Sequence, residues 1–219
     1  MWPYACARSM VTSDRDTTIS PFRSARERHL EREQKREAIL LAAVRMFNSR
    51  GFHATSLDDV AASLGVSKPT IYHYLGNKDQ VLLECLTRGL VQLQQEAEKA
   101  RASSGNGLAR LKQFLRRYAE INMTDFGRCV IRTDESALSP ESAERFRALK
   151  RQIDQHIREL VEAGIRDGSI RAADTRLAAF VLAGALNWPA QWYREDGGRS
   201  AAEFAAQMVD MLVEGLAPR

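Results

Sequence analysis

Cysteine is scarce in this 219-residue chain, and the three present, Cys6, Cys85 and Cys129, are odd in number and far apart. They fit neither a disulfide framework nor the spacing of zinc ligands, and they point to a reducing cytoplasm. No run approaches the roughly 20 consecutive apolar residues of a membrane span. Residues 1–30 lack the apolar core of a signal peptide, so no membrane partner is expected. The four histidines, His29, His53, His73 and His156, stand alone. Nucleophile motifs, glycine-rich phosphate loops and metal-ligand clusters are missing too, which argues against an enzyme and leaves no cofactor and no metal to expect. Charge is nearly balanced, 32 Lys and Arg against 28 Asp and Glu, for a net +4. Any affinity for DNA must therefore come from locally placed cations and helix N-termini rather than from a global field.

The informative stretch is LDDVAASLGVSKPTIYHYLG, residues 57–76. It satisfies the spacing of a helix-turn-helix, in which two helices meet through small and apolar residues at fixed offsets. Ala61 is small where the helices approach, and Gly65 stands where a left-handed backbone costs least. Val60, Leu64, Val66 and Ile71 are expected to form the shared apolar plug. Ser67 is placed to cap the second helix, and Pro69 sits in its first turn, where a missing amide hydrogen is not needed. The exposed face of that helix offers hydrogen-bond donors and aromatic edges in a segment short enough for a major groove. An ordinary hairpin inside a helical core would have little use for them.

Flanking segments extend the pattern. Ile39, Leu40, Ala43, Val44 and Phe47 recur at helical spacing before Gly51, and Asn77 is placed to cap a helix after the motif. Over roughly residues 33–90 the chain resembles the TetR family of bacterial repressors. The matching residues are Gly51, Phe52, Thr55, Ser56, Val60, Ala61, Gly65, Val66, Ser67, Thr70, Tyr72, Tyr74 and Lys78, with Val81 in place of a leucine. Leu75-Gly76 departs from the family pattern and is expected to alter packing more than function. DNA-contact residues are then Thr55, Ser67, Lys68, Thr70, Tyr72, His73, Tyr74 and Lys78. Thr55, Tyr74 and Lys78 suit phosphates, Lys68, Thr70 and Tyr72 suit base edges, and His73 points either outward or inward.

The fold expected is all-α, an N-terminal three-helix helix-turn-helix domain (31–78) followed by a larger helical effector-binding and dimerisation domain (79–219). Residues 1–30 read as a disordered extension. There Arg23, Arg26, Arg28 and Arg32 form either a DNA-following arm or a solvated tail with Glu27, Glu31 and Glu33, and Met10 is an alternative start. Helical periodicity places further helices at about 77–102, 108–123, 125–138 and from Ser139 to Asp167. Two apolar helices follow, at residues 173–198 and 200–216, the second opened by a Ser200/Glu203 capping box.

These last two helices carry more apolar surface than one chain easily covers. The resemblance implies that they pair with their copies in a homodimer, through Phe180, Ala183, Gly184, Trp192, Phe204, Met208, Met211 and Leu212. It also implies a small-molecule effector that enters a pocket among the middle helices and alters binding to a palindromic DNA operator. Phe114, Tyr118, Asn122, Arg128, Arg132 and Trp188 are the pocket residues expected, the alternatives being core for the aromatics and solvent for the arginines. The segment LNWPAQWYREDGGRSAAEF is similar to TetR-type repressors of fatty-acid and steroid catabolism, whose effectors are often acyl-CoA thioesters. Arg147, Lys150 and Arg151, with Arg128 and Arg132, are the cations available for their phosphates. The competing reading is a helical interaction module that does not bind an operator.

Overall fold

The computed structural model describes residues 24–171 and 173–214. The disorder expected over residues 1–23, Arg23, the start at Met10, Cys6 and the helix end at residue 216 lie outside that range. Two compact units divide the chain, Met1–Gln34 and Lys35–Arg219. Every described element is helical: α1 (Ala25–Arg50), α2 (Leu57–Leu64), α3 (Lys68–Leu75), α4 (Lys78–Ala102), α5 (Gly107–Asn122), α6 (Asp125–Arg132), α7 (Pro140–Arg166), α8 (Thr175–Asn187), α9 (Pro189–Trp192) and α10 (Ala201–Glu214). Helix α1 begins at Ala25, earlier than composition suggests. Ser24 and Glu27 cap each other's backbone amides there, a local signal that a reading of mean composition passes over.

Caps explain most boundaries. Ser56 and Asp59 form a reciprocal capping box that starts α2, and Asn77 and Gln80 form another that starts α4. Gly65 closes α2 at φ 65°, its amide bonded to the carbonyls of Ala61 and Ala62. The Leu75-Gly76 departure also has a cause. Gly76 holds φ 76°, and a Cβ there would collide with the Gln80 amide that caps α4. Ser139 caps α7, with Pro140 in its first turn. Ser200 and Glu203 form the capping box foreseen for α10. Helix α6 is shorter than its periodicity suggests. It stops at Arg132, and Asp134, whose side chain accepts from the Ser136 amide, opens a separate 3-10 turn at Glu135–Ala137.

In the second unit one continuous apolar cluster runs from Leu40, Val44, Val60 and Ile71 through Leu82, Leu86 and Leu90 to Phe114, Phe146 and Leu160. Helix α4 is the shared axis, packing against α5, α6 and α7, while α8 lies on α7 and α10 on α5. The helix-turn-helix plug differs from expectation in two members. Leu64 and Val66 are 36% and 38% exposed, and Leu57 and Leu75 fill the core instead. Leu64 is the last residue of an eight-residue helix and Val66 stands in the turn, both beyond the reach of the cluster.

Candidate DNA-binding face and effector cavity

Helix α3 presents its polar face outward. Ser67, Lys68, Tyr72 and His73 are exposed and Thr70 is half-exposed, so the open question about His73 resolves outward. Lys68 and Tyr72, one turn apart, share an edge. The Lys68 ammonium lies 5.9 Å from the Tyr72 ring centroid and 2.9 Å from the Asp58 carboxylate. Its hydrogen bond to Asp58 raises the Lys68 pKa, so the cation is held next to an acid that a phosphate or base would have to displace. Lys78 faces the same shallow groove, lined also by His53, Ser56, Lys68 and Tyr72. Its ammonium stacks 4.2 Å from the Phe52 ring centroid, and burial lowers its pKa.

Three of the expected DNA-contact residues behave differently. Thr55 is 1% exposed, and its hydroxyl lies 2.9 Å from the Gly51 carbonyl and 3.3 Å from that of Met46. It ties the end of α1 to the start of α2 and faces no phosphate. Ser67 occupies the N-cap position but makes no side-chain cap, because its hydroxyl pairs with that of Thr70 at 2.9 Å. Tyr74, two residues from Tyr72, falls on another side of the helix and lines a separate cleft with Arg36, Glu84 and Arg145.

In the C-terminal helices, a partly open cavity of about 310 Å³ is lined by α4 to α8. Leu90, Leu93, Val130, Ile153, Ile157 and Phe180 supply apolar wall, and Tyr118, Thr133, Lys150, Asp154 and Asn187 supply polar atoms. Of the six pocket residues expected from sequence, Tyr118 alone lines it. Phe114 is core, fully buried behind Tyr118 at 5.8 Å between ring centroids. Asn122 is buried and reaches the cavity only through Asn187, to whose Oδ1 it donates at 2.9 Å. Tyr118 donates to the same oxygen at 2.7 Å, and burial pushes its pKa up to about 12, so it stays a neutral donor. Trp188 is 64% exposed on the outer surface.

The two arginines tie elements together. Arg128 donates to the Tyr193 carbonyl at 2.8 Å, and Arg132 donates to the Asn48 carbonyl at 3.2 Å and the Gln191 carbonyl at 2.7 Å. Helix α6 therefore grips α1 and α9 together through Arg132 at its C-terminal end, and at its N-terminal end Asp125 takes hydrogen bonds from Arg45 and Asn48 of α1 at 2.9 and 2.8 Å. A second cavity, about 390 Å³, sits at this junction between Phe47, Phe52 and His53 on one side and Arg132 and Asp134 on the other, and Thr133 lines both cavities. Arg147 and Lys150 pair with Glu135, and Arg147 and Arg151 pair with Glu144.

Helix α8 leaves a bare apolar stripe. Leu177, Phe180, Val181 and Trp188 are 61%, 56%, 55% and 64% exposed, and Gly184 lies among them. Their spacing of three and four residues puts them on one face. Trp192 and Met211 extend the patch, Trp192 edge-on to Phe204 at 5.3 Å. Ala183, Phe204, Met208 and Leu212 are half-buried beside it. Sequence reasoning missed Leu177 and Val181 and assigned Trp188 to the pocket. The i, i+4, i+7, i+11 spacing from Leu177 was the signal available.

Comparison with known proteins agrees with this geometry. Residues 39–85 match the family profile described as bacterial regulatory proteins, tetR family, and residues 104–216 match tetracyclin repressor-like, C-terminal domain. The chain is 28% identical over 188 residues to the HTH-type transcriptional repressor KstR2 of Rhodococcus jostii (strain RHA1), spanning 84% of this chain and 91% of that protein. It is similar to the crystal structure of the TetR family transcriptional regulator PfmR from Thermus thermophilus, with TM-score 0.74 and 30% identity over 82% of this chain and 99% of that one. AibR, crystallised in complex with isovaleryl coenzyme A and operator DNA, shares the fold at TM-score 0.72 and 24% identity, over 81% of this chain and 97% of that one.

Proposed function

The chain belongs to the TetR family of bacterial regulatory proteins, DNA-binding regulators rather than enzymes, and on that premise we propose that it is a homodimeric, cytoplasmic repressor released from a palindromic operator by a small hydrophobic effector. The observation that carries the reading is the face of α3, where Lys68, Tyr72 and His73 stand in solvent on a helix of eight residues. Lys68, Thr70 and Tyr72 read base edges, and Ser67 and Lys78 steady the helix on the backbone. The division proposed is residues 31–78 for DNA, a limit that falls inside α1, and 79–219 for effector and dimer.

The apolar stripe of α8 with α10 supports a two-fold interface, in which each copy covers the other's Phe180, Gly184, Trp192 and Met211. The symmetry then places two α3 helices at half-sites a helical turn or a multiple apart. The cavity bounded by α4 to α8 is the effector site. Because α6 walls that cavity and also grips α1 through Arg132 and Asp125, a ligand that shifts α6 changes the seating of the reading helices. A coupling of about 1–3 kcal/mol alters operator affinity roughly 5- to 150-fold.

An acyl-CoA is the effector class supported best. AibR binds isovaleryl coenzyme A on the same fold, and the cavity here is small and largely apolar. At about 310 Å³ it stands at the low end of the roughly 300–1,000 Å³ of small-molecule sites, room for an acyl group but not for coenzyme A. Thr133 leads from it to the junction cavity, where Arg132 meets carbonyls and no carboxylate. Selection from random duplexes by the purified protein tests the DNA reading. A two-fold symmetric site recovered from the pool supports it, and a pool without enrichment refutes it.

A further inference from the structure

The polar end of the effector cavity is built from amides, and its hydrogen-bond accounting is unequal. The Asn187 Oδ1 accepts from both Tyr118 and Asn122, while its Nδ2 has no acceptor among the described residues and is not sealed from solvent. Asn122 is fully buried, and its Oδ1 has no partner. Turning both amides over would let the Asn187 NH2 donate to the Tyr118 and Asn122 oxygens, but it would strand the buried Asn122 NH2 and leave the Tyr118 proton without an acceptor, a worse outcome than one orphaned carbonyl oxygen. The arrangement is therefore polarised: oxygen inward, two N–H donors outward on a residue that lines the cavity.

Charge on the same wall is already neutralised. Lys150 pairs with Glu135, and Asp154 pairs with Arg158. Thus the charges on this wall are paired, and the neutral donors left for a ligand are the Asn187 amide and, at the α6 end, the Thr133 hydroxyl. A neutral donor in an apolar cavity selects an acceptor, and a molecule presenting only donors would leave the Asn187 amide unpaired.

We propose that Asn187, held by Tyr118 and Asn122, is the recognition head of this cavity and donates to the carbonyl oxygen of a compact acyl ligand. The inference rests on the reading of this cavity as the effector site. It adds the atom that distinguishes acyl compounds from other apolar molecules of similar size. Asn187 is also the last residue of α8, with Trp188 alone between it and α9, whose Gln191 carbonyl holds Arg132. Ligand capture at Asn187 thereby bears on the segment that α6 grips.

Asn187→Asp is the discriminating variant, because a carboxylate still accepts from Tyr118 and Asn122 but turns an acceptor toward the cavity. Calorimetry on the full chain would use octanoyl-CoA, the octanoyl thioester of N-acetylcysteamine, octanoate and octylamine. Wild type should bind the carbonyl probes. Binding of both thioesters identifies the thioester carbonyl, and binding of octanoate alone identifies a carboxylate, each supporting the head. In Asn187→Asp their affinity should fall roughly ten- to a hundredfold while that of octylamine rises, an inversion that a merely structural role would not produce. Tyr118→Phe, which frees one side of the Asn187 oxygen, should weaken the carbonyl probes several-fold while costing only the net stability of one hydrogen bond, so that the variant stays folded. Carbonyl affinity within about twofold of wild type in either folded variant, or no carbonyl probe bound by wild type, overturns the proposal. Probes that bind through Asn187 yet leave operator affinity unchanged would instead refute the regulatory reading and leave the recognition head standing.

Discussion

Gly184 offers a clean perturbation of the dimer, because it lies mid-α8 and a Cβ there would meet no atom of its own chain within 4 Å. Gly184→Asp should therefore leave the isolated chain folded. Around it Leu177, Phe180, Val181 and Trp188 are each more than half exposed. Complete burial of such a side chain contributes about 1.5–3 kcal/mol, so covering the exposed halves gives about 1 kcal/mol each and about 8 kcal/mol over two copies. A carboxylate left unpaired in that interface costs at least about 3 kcal/mol. Two-fold symmetry places it there twice, about 6 kcal/mol in all. At about 1.4 kcal/mol per decade the dimer dissociation constant should rise about ten-thousandfold. Sedimentation velocity at micromolar protein is the assay, with circular dichroism to check helix content. Wild type should sediment as a dimer and Gly184→Asp as a folded monomer. A variant that stays as dimeric as wild type would show that this face is not the interface.

Thr55→Val keeps the side-chain volume but removes the hydroxyl bonded to Gly51 and Met46. About 1 kcal/mol of stability should be lost, or about 2–4 °C in Tm by calorimetry, and the salt dependence of DNA binding should not change. A shallower salt slope would restore Thr55 to the phosphates. Arg132→Gln should preserve operator affinity in the free protein but reduce the effector's power to release DNA several-fold, as read by anisotropy with and without octanoyl-CoA. An unchanged release would take α6 out of the coupling. Asp79 is opposed by burial, but hydrogen bonds from Ser142 and Ser139 outweigh it and hold the carboxyl below its usual value. A depressed folded pKa stabilises fully above the unfolded value of about 3.9 and is lost as pH falls through the folded one. The Tm advantage of wild type over Asp79→Asn should thus be present at pH 7 and shrink below about pH 4, and an advantage that persists there would contradict the assignment.

The helix-turn-helix was legible because its constraints are local. Gly65, Ala61, Pro69 and Ile71 act at fixed offsets within twenty residues, and the structure places each where spacing puts it. Caps at Ser139 and Ser200 were legible for the same reason. Leu64 and Val66 misled because burial depends on how far the core extends, which no single helix encodes. The cavity was harder still. Thr133, Asp154 and Asn187 come from the end of α6, from α7 and from α8, whose mutual rotation fixes which side chains converge. Arg128 and Arg132 looked like ligand cations, yet the carbonyls that occupy them belong to Asn48, Gln191 and Tyr193, distant in sequence.

The central claim is that α3 reads DNA sequence, and fluorescence anisotropy on wild type and Tyr72→Ala tests it most directly. Each protein would be titrated with the selected palindrome and with a scrambled duplex at one fixed salt concentration. The account predicts that wild type prefers the palindrome by at least about a thousandfold. Tyr72→Ala should remain dimeric and lose about ten- to a hundredfold on the palindrome, with little change on the scrambled duplex. Equal affinity of wild type for both duplexes, or undiminished preference in Tyr72→Ala, would contradict it.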